Sequence, residues 1–173
     1  MKPFRSFRKT GAQGFYSCMT HWMISELFNN PLPYKKIGKL KPAQRGVHQS
    51  IDYEFSIEIE GVATKVTTTF RDVDGTEQFS VEFDVGDKFN ITGLAGVAAI
   101  KIFTTVTAQI VDFIETEQPI KIEFTAAKAR GEGSSRSKLY DRMTKRLTPK
   151  GYSLQSRPWR DGARQYTFTR EQK

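Results

Sequence analysis

The chain has 173 residues, one cysteine and a net charge of +8. That length suits one domain with its own core, and 12% aromatic residues argue against general disorder. Cys18 alone excludes an internal disulfide and fits a reducing, intracellular setting. No uncharged apolar run reaches the ~20 residues that cross a bilayer, so no membrane partner is expected, and no clean apolar segment follows the basic start, so no secretory signal is expected.

The charge is segregated. Residues 1–48 carry nine Lys/Arg against one acid, residues 49–120 four against thirteen, and residues 121–173 fourteen against five. Such blocks create fields that reach beyond contact distance. Two explanations stand open: the basic ends face a polyanion, or they lie against the acidic middle of this chain or of another copy.

Residues 1–10 read as a basic arm. Residues 15–28 show helical spacing (Phe15, Met19, Trp22, Met23, Leu27) and predict a short helix. Asn29, Asn30, Pro31 and Pro33 stop it, and 34–48 reads as an extended basic connector. These 48 residues form one unit, and 49–173 a single α+β domain. Ile51, Tyr53, Phe55, Ile57 and Ile59 alternate with polar residues without a fault, which predicts a half-buried strand. Glu60-Gly61 and Asp74-Gly75 mark turns. Val62, Val66 and Phe70, then Phe79, Val81, Phe83 and Val85, extend the pattern into an antiparallel meander with one wet, acidic face.

Residues 93–115 carry the apolar stripe of a main helix: Leu94, Val97, Ala98, Ile102, Val106, Ile110 and Phe113. Pro119 precedes a further strand through Ile122 and Phe124. A second helix is predicted over about 135–147 on the line Leu139, Met143 and Leu147, with Arg142, Lys138 and Lys145 on its outer side. Two short strands, 152–156 and 164–169, flank the turn at Asp161-Gly162. The expected architecture is therefore α+β: an antiparallel meander sheet of about five to six strands, with two main helices packed on it and a short N-terminal helix.

The stretch AAKARGEGSSRSKLYDRMTKRL, residues 126–147, joins that strand to the second helix. Gly131 and Gly133 could bring backbone N–H groups to an anion, with Arg130, Arg136 and Lys138 beside them. The plainer reading is a relaxed turn, a helix capped by Ser134 or Ser135, and solvated charges. No G-x-x-x-x-G-K-[ST] signature is present. Lys128, Gly131 and Gly133 resemble the acyl-CoA loop of GNAT-type acetyltransferases, Arg/Gln-x-x-Gly-x-Gly/Ala, departing from it at the first position. That resemblance implies an acyltransferase. A broader one covers about residues 50–170. The meander, Thr92-Gly93 before the apolar helix, Pro119, Ile122, Phe124 and Ala126, and the run from Ser135 to Tyr152 are similar to small uncharacterised proteins of tailed bacteriophages. It implies a viral origin, with action in the cytoplasm of the infected cell or in the virion, and no mechanism.

Cys18 and His21 have C-x-x-H spacing but no second pair, so no metal site is expected. His48 and Cys18 lack the context of a nucleophile and base. The acids of 52–60 alternate outward and read as a solvated or interface face. No catalytic residue and no cofactor are assigned. Tyr152, Arg157, Trp159, Arg160, Arg164 and Tyr166 mix aromatic and basic character within fifteen residues, a pattern that suits stacking on bases and contact with phosphates. The competing reading puts the two tyrosines and Phe168 in the core and leaves Trp159 and the arginines outside.

The leading expectation is a non-enzymatic, phage-encoded protein that binds a polyanion, nucleic acid first. Its contact residues are Arg130, Gly131, Gly133, Arg136, Lys138, Arg142, Lys145, Arg157, Trp159 and Arg160. The alternatives are a virion or host-factor-inhibiting protein interaction module, which meets an acidic protein or a second copy, and a GNAT-like acyltransferase.

Overall fold

A computed structural model describes residues 30–41, 46, 48–72, 74–86, 97–126, 140, 141, 144, 148 and 151–171. The strands are β1 (Lys35–Ile37), β2 (Ser50–Ile59), β3 (Val62–Asp72) and β4 (Gln78–Val85). The helix α1 (Val97–Glu117) follows, then β5 (Lys121–Ala126), β6 (Tyr152–Pro158) and β7 (Arg164–Arg170). They form one seven-stranded sheet in the order β1-β2-β3-β4-β5-β7-β6.

Period-two alternation becomes β2, with Ile51, Tyr53, Phe55 and Ile57 buried on one face. Glu60 and Gly61 both take positive φ, 52° and 79°, the backbone twist that a two-residue hairpin favours. The turn sets Ile59 opposite Val62, and from there Phe55 falls opposite Val66 and Tyr53 opposite Thr68. β4 continues the register, Phe70 opposite Val81 and Val66 opposite Val85.

Sequence patterning predicts two main helices and a short N-terminal helix on an antiparallel meander of five to six strands. That expectation is corrected: the described fold is a seven-stranded mixed sheet with one long helix. The sheet is mixed because α1 returns the chain to the end where β4 began, so β5 enters parallel to β4, and only a crossover of this length allows that. The seventh strand, β1, lies in the stretch read as a connector, and its three residues are too few to show alternation. The expected N-terminal helix, 15–28, lies outside the described residues. Of the expected second helix only Tyr140, Asp141 and Thr144 are described, and each is helical.

The β4–β5 ladder covers three pairs, Gln78 to Ser80 opposite Lys121 to Glu123. Beyond them β4 runs on to Val85 and β5 to Ala126 without pairing to each other. Aromatic side chains bridge this opening from below: Phe83 to Phe103 at 5.9 Å, Phe103 to Tyr140 at 5.0 Å, and Tyr140 to Phe124 at 6.2 Å.

α1 lies on the apolar face of the sheet. Phe113 stacks on Phe70 at 4.1 Å and meets Phe79 edge-on at 4.9 Å. By length and composition α1 is apolar enough to cross a bilayer, yet half of that stretch is buried inside the protein, as a core helix requires. Its threonines fit an apolar setting by donating to carbonyls one turn back, Thr105 to Lys101 and Thr116 to Asp112. Thr105 Oγ1 also accepts the Leu32 N–H at 2.9 Å, so the segment before β1 is tied to the helix. Polar links join helix and sheet: Thr68 donates to Gln109 at 2.7 Å, Tyr53 OH to Asp112 Oδ2 at 2.8 Å, and Lys36 of β1 to Thr116 at 3.2 Å.

Phe113→Ala is expected to destabilise the fold by about 3–5 kcal/mol, because it empties a fully buried aromatic site; urea unfolding checks this. Burial, then the hydrogen bond to Asp112, pushes the Tyr53 phenol above its ordinary pKa of 10.0. The unfolded chain therefore releases this proton first as pH rises. Stability is expected to be intact below pH 10 and to fall above it. Tyr53→Phe should flatten that fall in unfolding curves measured across the alkaline range.

Candidate nucleic-acid interface

The hairpin β6–β7 closes the basic end of the chain. Trp159 follows β6, and Arg160–Gly162 form a single 3-10 turn before Ala163. The Trp159 N–H donates to the Ala163 carbonyl at 2.8 Å and the Ala163 N–H to Arg160 at 3.1 Å. Gly162 takes φ of 73°, a conformation glycine adopts without steric cost. The turn therefore fixes the register, Arg157 opposite Gln165 and Gln155 opposite Thr167.

Alternation then sorts the hairpin's side chains. Tyr152, Tyr166 and Phe168 are buried, as the competing reading holds. Tyr152 OH donates to the Pro119 carbonyl at 2.7 Å, and Phe124 stacks on Tyr166 at 5.1 Å. Arg157, Trp159 and Arg160 are exposed. They share one end of the hairpin, and Trp159, 41% exposed, is the only aromatic among the exposed large apolar residues described.

The geometry around Arg157 is specific. Its Nε donates to Gln165 Oε1 at 2.7 Å, and its guanidinium carbon lies 5.3 Å from the centroid of the Trp159 ring, within cation–π range. Gln165 is 7% exposed, so the amide that holds the arginine is itself held. Sequence reasoning missed Gln165. The signal that could find it is the hairpin register, which sets it directly across from Arg157.

Five of the other described cations are committed to carboxylates: Lys35, Lys36, Lys65, Lys121 and Arg164. Lys65 and Lys35 both reach Glu54, the latter at 3.7 Å. Lys36 meets Glu117 at 2.5 Å, and Lys121 meets Glu123 at 2.8 Å. The Glu54 carboxyl is held below the usual carboxylate range, first by the Lys65 hydrogen bond. Arg164 donates to both oxygens of Asp141, at 3.0 and 3.1 Å, and Tyr166 OH reaches the same carboxylate at 2.8 Å. The bond to Asp141 raises the guanidinium pKa further, and burial and then Asp141 raise the Tyr166 phenol. This clamp ties the base of β7 to the helical residue Asp141 and removes Arg164 from the available charge. Among the described residues no carboxylate pairs with Arg157 or Arg160.

Arg130, Gly131, Gly133, Arg136, Lys138, Arg142 and Lys145 lie outside the described residues, as do Cys18 and His21. His48 is exposed, with Nδ1 3.4 Å from the Asp72 carbonyl. Among the described residues no group of three or more His, Cys, Asp or Glu is placed to hold a metal. The hairpin end offers guanidinium donors and an indole face, which is the chemistry of binding. No protein-family model, no curated protein and no solved structure matches this chain.

Proposed function

We propose that this is a non-enzymatic nucleic-acid-binding protein that meets the phosphate backbone with the end of its β6–β7 hairpin. The observation that carries the reading is that Arg157 and Arg160 flank an exposed Trp159 with no carboxylate partner among the described residues, while Arg164 of the same hairpin is held by Asp141. Neutralising phosphates releases counterions and yields affinity without base readout. The sequence supplies further cations at Arg130, Arg136, Lys138, Arg142 and Lys145. The resemblance to tailed-phage proteins implies that this action belongs to the host cytoplasm or the virion.

Binding to labelled DNA or RNA is expected to weaken steeply with salt. Arg157→Gln with Arg160→Gln should reduce the slope of log K against log salt by about two, roughly one for each phosphate no longer neutralised. Absence of binding at low salt overturns the reading. A salt-sensitive oligomer free of nucleic acid, seen by size-exclusion chromatography, would assign the charge to self-association instead.

A second reading has its own support. β4 and β5 separate after three pairs, so the facing backbone of residues 81–85 and 124–126 is not paired across the opening. An extended, amide-bearing chain such as the pantetheine arm of an acyl-CoA suits such a cleft. The residues that carry the acyl-CoA loop resemblance, Lys128, Gly131 and Gly133, follow β5 in the sequence. Acetyl-CoA at millimolar concentration is then expected to raise the melting temperature, and an unchanged melting temperature rejects this reading.

A further inference from the structure

We infer that the hairpin end is built for single-stranded nucleic acid, with Trp159 stacking on an unpaired base and Arg157 and Arg160 holding the phosphates beside it. This rests on the nucleic-acid reading of the same hairpin and names its substrate class. Contact with a duplex backbone alone needs only charge, and it gives no reason to expose an indole. A base inside a duplex is stacked on its neighbours and offers its edges in the grooves. An indole face engages a base whose own face is open, and such stacking tolerates any sequence.

The arrangement around the ring supports that use. The Arg157 guanidinium covers the indole at 5.3 Å, and the residue remains 41% exposed. A base added to the ring would complete a layered arginine–indole–base arrangement. Gln165 anchors Nε of Arg157. Among the described residues no hydrogen bond ties the two terminal nitrogens, which leaves them to bind a phosphate oxygen. Arg160, exposed one residue beyond Trp159, stands where the strand continues. Along the same sheet face lies the exposed, uncharged Gln155, whose amide suits a base edge better than a phosphate; Thr167 opposite it donates to Glu123 at 3.4 Å.

The test uses the full chain and fluorescence anisotropy with labelled oligo(dT), oligo(U) and an oligo(dT)·oligo(dA) duplex at one salt concentration. The expected result is single strands bound about tenfold or more tighter than the duplex. Trp159→Ala should weaken single-strand binding about tenfold or more, the scale of one stacked base, and weaken duplex binding by a much smaller factor. Trp159→Phe should restore most of the loss, and circular dichroism confirms that the variants fold. Equal affinity for strand and duplex, with Trp159→Ala silent while Arg157→Gln and Arg160→Gln still weaken both, overturns the single-strand inference and leaves the phosphate-contact reading standing. No binding of any of the three at low salt overturns both.

Discussion

A sheet with one apolar face must bury that face, and in this protein the burial runs through Phe113. It stacks on Phe70 of β3 and meets Phe79 of β4, so one helical side chain joins two strands. Aromatic rings contribute large buried area and a geometric preference beyond it. Seating α1 there has a topological consequence. The chain leaves the sheet after β4, crosses the apolar face and re-enters parallel to β4, and the β6–β7 hairpin then extends the sheet from β5. The placement of the basic hairpin far along the sheet from the acidic strand β2 follows from that crossover.

The segregated charge is partly resolved by the fold itself. Glu54 gathers Lys65 from the paired strand and Lys35 from β1, and Lys36 reaches across to Glu117 on α1. These pairs are partly exposed and each contributes little to stability. Their effect is on the field, since cations near β2 are balanced where they stand. Among the described residues at the β6–β7 end, Asp141 balances Arg164, while no carboxylate pairs with Arg157 or Arg160.

Arg157 shows how the hairpin orders one of its cations. A free arginine side chain loses rotamer freedom when it binds. Here the amide of Gln165 and the face of Trp159 already restrict it, so part of that loss is met in folding. The inner face of the same two strands is committed to the core through Tyr152, Tyr166 and Phe168. A buried scaffold thus lies beneath a charged, aromatic turn, the kind of setting in which proteins commonly carry binding residues.

Local pattern determined a good deal of this molecule. The alternation from Ile51 to Ile59, the two-residue turn at Glu60-Gly61 and the long apolar stripe of α1 were legible because each is written in neighbouring residues, where backbone geometry sets the period. The exposed character of Trp159 followed from its setting in a Pro-Trp-Arg-Asp-Gly turn. Tertiary structure decided what depends on residues distant in the chain. Strand order, the parallel entry of β5 and the recruitment of Lys35–Ile37 as an edge strand rest on pairing partners that no local period encodes. So does the fate of each cation. Arg164 and Arg157 are alike in sequence, but the register turns one toward Asp141 and lays the other between Gln165 and Trp159. Charge composition counts the arginines, and only the fold determines which of them already have a partner.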